Sequence, residues 1–162
     1  MAVDMFMKID DIKGEATDDK HKGLIEVISW SWGMTQTGNA HLGTGAGAGK
    51  VDVQNLTFTK YVDTSSPNLI KLCCKGKHFD TATLYVRKAA SDKPMEYLKI
   101  EMYDGLISAV NVAGAGSDER LVENIAVNFA SFKYYYTPQS KGAPGAEIPA
   151  AWNMAKNSES VP

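Results

Sequence analysis

Cysteine is nearly absent from this chain: its 162 residues hold two thiols, Cys73 and Cys74, side by side. Adjacent cysteines cannot staple distant parts of a fold, so no disulfide framework is expected. They read instead as two small apolar side chains in a reducing compartment. A metal reading would recruit His78, four residues beyond Cys74, but no second cysteine–histidine cluster completes a tetrahedral ligand set. Histidine is scarce as well. His21, His41 and His78 fall in expected loops or near a helix end, and no serine sits in a Gly-x-Ser-x-Gly elbow. The pattern therefore offers no nucleophile–base pair, no catalytic residue, no metal site and no cofactor.

An excess of one charge is also missing. Seventeen basic residues face nineteen acidic ones, for a formal net charge of -2, which makes no electrostatic case for nucleic acid or an anionic membrane. No run approaches the roughly 18 apolar residues of a membrane span. Met1-Ala2-Val3-Asp4-Met5-Phe6-Met7-Lys8 lacks the basic start and apolar core of a secretory signal. The expectation is synthesis in the cytoplasm, with any export by a route that reads the folded protein.

What the chain does have is period-two patterning. Met5, Met7 and Ile9 alternate with Phe6 and Lys8. Ile28, Trp30, Trp32 and Met34 share one face against Ser29, Ser31, Gly33 and Thr35. Leu98, Ile100 and Met102 alternate with Lys99, Glu101 and Tyr103, and Leu121, Ile125, Val127 and Phe129 with Asn124, Ala126, Asn128 and Ala130. These are half-buried antiparallel strands. After Phe129 the apolar phase passes to Phe132, Tyr134 and Tyr136, and after Val53 to Leu56 and Phe58. A change of phase marks a bulge or bend, as at the corner of a barrel.

One helix is predicted, with Ser66 as N-cap, Pro67 in its first turn and Gly76 as its stop. Leu69, Leu72 and Cys73 form its inner face with Ile70 beside them, while Asn68, Lys71 and Lys75 point away. The fold class is mainly β: a small antiparallel β-barrel of two sheets with one short flanking α-helix and an extended glycine-rich loop. A single domain spans 1–162, with the loop at 38–50 and a surface tail at 139–162.

The glycine-rich loop invites a nucleotide reading that fails. A P-loop needs Gly-x-x-x-x-Gly-Lys, then Ser or Thr, then a helix. Here Thr44 holds the first glycine's place, and Val51 and a strand follow Lys50. The dinucleotide pattern fails too, because Lys50 takes its last glycine. Trp30-Ser31-Trp32 is more informative. Alternation sends both indoles inward and leaves Ser29, Ser31, Gly33 and Thr35 as a flat, small, uncharged face on which another molecule could dock.

Several stretches resemble the haemolysin-coregulated protein (Hcp) family of type VI secretion. They are the opening Met-Ala-Val-Asp-Met-Phe, Trp30-Ser31-Trp32-Gly33-Met34 and, most specifically, the block from Gly49 to Asn68. Gly76-Lys77-His78-Phe79, Glu119-Arg120-Leu121-Val122-Glu123-Asn124 and Trp152-Asn153 extend it over nearly the whole chain, with departures at Cys73-Cys74 and in the tail.

The resemblance implies a homohexameric ring that stacks into a tube and takes small effector proteins in its bore, with spike and sheath components as further partners. It implies a protein that is cytoplasmic before firing and then secreted without a cleaved signal peptide, with no nucleic acid partner and no membrane insertion. On that reading Ser29, Ser31, Gly33 and Thr35 are the candidates for facing the cargo. His41, Leu42, Gly43, Thr44, Gly45, Gly47 and Gly49 are the candidates for ring or stacking contacts. A compact chain of this length is roughly 40 Å across, so six in a ring enclose a bore of about 40 Å. The rival readings are a phage-like tail-tube protein, a β ligand-binding domain that does not assemble, and a small hydrolase using a loop histidine.

Overall fold

The computed structural model describes residues 3–38, 41, 49–89, 93–140 and 143–162. Its elements are β1 (Val3–Ile9), β2 (Ile25–Glu26), β3 (Ser29–Ser31), β4 (Met34–Gln36), β5 (Val51–Val53), β6 (Leu56–Tyr61) and α1 (Ser66–Lys75), then β7 (Phe79–Lys88), β8 (Met95–Ala113), β9 (Val122–Tyr136), β10 (Gln139–Ser140), β11 (Ala143–Pro144) and β12 (Ile148–Asn153). The fold is mainly β with one short helix. The main sheet runs β2-β1-β7-β8-β9-β6-β3, with β12 also on β9, and every pairing is antiparallel.

The ends of this sheet are consecutive in the chain, and that curls it into a half-barrel. Val27 N–H donates to Met5 O on β1, while Ile28 N–H donates to Thr59 O on β6. One short segment thus bridges both ends of the sheet. Inside lie Met7, Ile9, Ile25, Leu56, Phe58, Leu84, Ile100, Met102, Ile125 and Val127, each worth roughly 1.5–3 kcal/mol of burial. Leu69 of α1 is fully buried, with Leu72 and Cys73 packed against the same core and Ile70 exposed. Gly76 ends the helix at φ 60, where a Cβ would be strained.

Both phase changes are present, by different means. Between Val53 and Leu56 the chain changes sheet: β5 pairs with β4 in a separate two-stranded hairpin, and β6 joins the barrel. In the β8–β9 pair the inward set shifts from Ile100 and Met102 to Gly105 and Ile107, and from Phe129 to Phe132. Asp104, at a positive φ of 49, sits at this bend. Gly105 follows because a Cβ there would collide with Asn128 O and the Phe79 ring.

Four expectations need correction. Ser65, not Ser66, is the N-cap, and it makes no side-chain cap bond; the Ser66 hydroxyl turns inward to Lys60 and Glu123 instead. Ile28 and Met34 are 41% and 45% exposed, because the chain leaves the barrel wall on either side of β3. Leu121 is 48% exposed, since it lies just before β9 at the far end of the hairpin. Within the expected tail, Ile148–Asn153 forms β12 on β9, with Trp152 opposite Phe132.

Candidate functional site

The outward face of β3, β6, the first half of β9 and the second half of β8 is uncharged. Ser29 and Ser31 stand opposite Thr59 and Thr57. These oppose Asn124 and Ala126, which oppose Asn111 and Ala109. Alternation supplies the chemistry, because these residues flank inward-facing ones: buried Phe58 lies between Thr57 and Thr59, buried Ile125 between Asn124 and Ala126, and half-buried Trp30 and Val110 between the outer pairs. The sequence reading reached only the β3 corner of this surface.

The polar groups are largely paired with each other. Thr59 Oγ1 donates to Asn124 Oδ1 at 2.6 Å. Asn128 Nδ2 donates to Asn55 Oδ1 at 2.8 Å, and Asn55 Nδ2 to Ser108 Oγ at 3.2 Å. Ser108, the extra residue of a β-bulge in β8, donates to Ala126 O at 3.2 Å. The result is a preorganised wall of hydroxyls and amides without a formal charge.

Below the bend at Asp104 the outward face changes character. Lys99 Nζ lies 3.3 Å from Glu101 Oε1 and 4.6 Å from the Tyr135 ring centroid. Tyr103 donates its hydroxyl to Glu101, and Lys133 sits 5.6 Å over the Tyr103 ring. Burial, then Glu101 as acceptor and as negative charge, pushes the Tyr103 phenol well above its ordinary 10.0. Burial alone would lower the Lys99 ammonium, but its bond to Glu101 raises it on balance. One hairpin therefore presents a charged, aromatic half and a neutral, hydrogen-bonding half.

The structure divides the four candidate cargo residues. Ser29 and Ser31 lie exposed on β3 within the neutral face. Gly33 is in the connection that follows, where its carbonyl accepts from Gln54 N–H at 3.0 Å. Thr35 is on β4, opposite Asp52 in the separate hairpin. Of the candidate assembly residues, His41 is an exposed turn residue. Gly49 is exposed where a side chain would strike the Thr37 hydroxyl. Leu42, Gly43, Thr44, Gly45 and Gly47 lie outside the described residues.

The histidines have structural surroundings. His21 is buried between the rings of Phe6 and Tyr85, at centroid distances of 4.8 and 4.7 Å. Its Nε2 lies 2.5 Å from Glu96 Oε1. His78 Nδ1 lies 3.0 Å from Asp104 Oδ1, both exposed. Among the described residues no group of three or more His, Cys, Asp or Glu could hold a metal ion. No helix there is long and apolar enough to cross a membrane.

A mainly antiparallel half-barrel with one flanking helix, a separate two-stranded hairpin and a neutral outer wall defines a small β-scaffold protein. Residues 6–136 match the family model described as "Type VI secretion system effector, Hcp". Protein hcp1 of Pseudomonas aeruginosa is 48% identical over 97% of this chain and 98% of its own length. Hcp1 from Salmonella typhimurium superimposes with a TM-score of 0.83 at 41% identity, covering 98% of this chain and 99% of that one. A solved type six secretion system protein gives a TM-score of 0.90 at 31% identity, with 97% and 99% covered. The chain belongs to the Hcp family of type VI secretion proteins.

Proposed function

We propose that this chain is the tube subunit of a type VI secretion apparatus, a structural protein without enzymatic activity. Six copies close into a ring, rings stack into a tube, and small effector proteins ride in the bore, with sheath and spike components as outer and end partners. The protein is made in the cytoplasm and leaves with the tube. The observation that carries this reading is the neutral wall centred on Ser31, Thr57, Asn124 and Asn128. Hydroxyls and amides already bonded to one another give cargo a smooth, weakly holding surface. Repetition around a bore multiplies weak contacts into retention, since each docked contact raises the effective concentration for the next.

The sheet edges support ring closure. Among the described residues, β3 pairs only with β6, and residues 106–113 of β8 pair only with β9. The neutral face thus ends in two different free edges, as a heterologous ring contact requires. Residues 38–50 join β4 to β5 and are the candidate arm between rings.

Solution mass by light scattering tests the ring: the expected value is about six times 17.6 kDa, and a monomer at tens of micromolar sinks the reading. Ser31→Gln should keep that mass while reducing retention of a co-expressed effector. If it breaks the ring instead, Ser31 belongs to a subunit interface. Deleting residues 42–48 should leave the barrel folded and weaken stacking, and unchanged tubes would remove the loop's role.

A further inference from the structure

Two apolar features lie at opposite ends of β9. At its start, Val62, Val112 and Leu121 are 38%, 54% and 48% exposed. All three continue the barrel's inward face past the point where the core ends. Val112 is paired with Glu123, a fully buried residue. Leu121 folds over Gly114 and accepts at its carbonyl from Val62 N–H at 3.0 Å. This is a core face without a core to cover it. About ten residues further along β9, roughly 33 Å of strand, a groove of about 290 Å³ opens between the β4–β5 hairpin and the β9–β12 pair. Met34, Gln36, Val51, Val53, Phe132 and Trp152 line it. The groove is therefore an apolar seat, with the Trp152 ring as part of its wall.

We propose that the groove of one copy receives the β8–β9 hairpin tip of a second copy, joining copies end to end along the strands. A second copy is the occupant because the chain carries both halves of the contact. The tip is a convex apolar ridge with exposed acidic neighbours, Asp118 and Glu119. The groove is concave, and the exposed Lys50 stands next to Val51 on its hairpin wall. The opposing charges nearby are held against a ring or turned to another face. Arg120 lies 3.8 Å from the Tyr61 ring centroid, and Asp52 shares the other face of the hairpin with Thr35.

A single tip in a single groove falls well short of the roughly 1,000 Å² that a stable pair needs. Repeated around a ring, the same contact becomes strong through linkage of the copies. The inference therefore rests on the ring reading and assigns the surfaces by which one ring meets the next. Because tip and groove are different surfaces at opposite ends, the contact is polar and open-ended, giving stacks that all point one way.

Disulfide trapping tests it. In a Cys73→Ser, Cys74→Ser background, Met34→Cys and Leu121→Cys are introduced singly and together. Both positions are about half exposed, so the fold tolerates them. Oxidised with copper phenanthroline at high protein concentration, the double variant should run as a covalent ladder on a denaturing gel, reversed by dithiothreitol. Each single variant alone should stay monomeric there, and an equimolar mixture of the two should give one dimer band. The same samples are weighed in solution before oxidation. Intact rings with no ladder and no mixed dimer overturn the tip–groove contact alone. A wild-type protein that weighs as a monomer removes the ring reading instead, and a mixed dimer would still support the contact.

Discussion

Lys60 on β6 and Glu123 on β9 are directly opposed across the ladder and form an ion pair with both side chains inside the barrel, at 0% and 1% exposure. The ammonium also reaches Ser66 Oγ at 3.0 Å, Tyr61 O at 3.0 Å and Asp63 Oδ1 at 2.9 Å. The pair thus ties two strands to the first turn of α1. One carboxylate oxygen, Glu123 Oε2, has no partner among the described residues.

Glu123→Ala would leave a buried ammonium with only one carboxylate and two neutral oxygens. Breaking a buried pair from one side costs about 3–5 kcal/mol. Urea melts should show a loss of that order. The double change Lys60→Met, Glu123→Leu should recover most of it, because two apolar side chains carry no desolvation cost. If Glu123→Ala costs less than about 1 kcal/mol, the pair is not what holds the helix to the sheet.

Arg87 binds Asp18 and Asp4 on the outer face of β1 and β7. Its guanidinium, chiefly by donating to Asp18, holds that carboxyl below its ordinary 3.8 against the opposing effect of burial. A carboxyl depressed in the folded state stabilises fully above its unfolded value, and the benefit disappears as pH falls through the lowered one. Asp18→Asn should therefore lower stability at pH 6 and flatten the fall in urea midpoint below about pH 4. An unchanged acid limb would show that Asp18 contributes nothing there.

Tyr103 should resist ionisation. With its phenol raised by burial and by Glu101, ultraviolet titration should find it still protonated at about pH 11, beyond the ordinary tyrosine range. The neutral phenol is favoured in the fold, so its contribution to stability is complete below about pH 10 and is lost as pH rises through the folded value. Glu101→Gln removes the negative charge but not the burial, so the value should fall only part of the way back. No movement at all would mean that Glu101 has no hold on the phenol.

Trp30 and Phe58 oppose each other on β3 and β6, yet only Phe58 is fully buried, at 1% exposure. Phe58→Ala should cost about 3–5 kcal/mol by transfer and cavity formation. Trp30→Ala should cost less, about 1.5–2.5 kcal/mol, because the indole is already partly in water. Thermal and urea melts of the two variants would rank them, and equal losses would mean that Trp30 is buried by an assembled neighbour.

Much of the barrel was legible because alternation is a local property. Leu56, Phe58, Ile100, Met102, Ile125 and Val127 declare themselves as inward by their spacing alone, and Ser-Pro-Asn and Gly76 delimit the helix. The same alternation carried the neutral wall, since Thr57, Thr59, Asn124 and Asn128 are the outward partners of those residues. Each strand shows only one column of it, so the wall as a surface is not visible along the chain. The ion pair was hidden for a related reason: Lys60 continues the inward phase of Leu56 and Phe58, but a lysine there is readable only once Glu123 is known to lie opposite.

The sequence by itself therefore determined most of the inward-facing residues, though not Ile28, Met34 or Leu121, where the helix begins and ends within a residue, and the family. Tertiary structure alone decided which strands are neighbours. It put Ser31 and Thr35 in different sheets, set the uncharged residues of β3, β6, β8 and β9 side by side, and left Val112 and Leu121 stranded beyond the core. The physical reason is that side-chain periodicity is written along one strand, whereas a surface is made across strands whose pairing depends on closing loops between residues far apart in the chain.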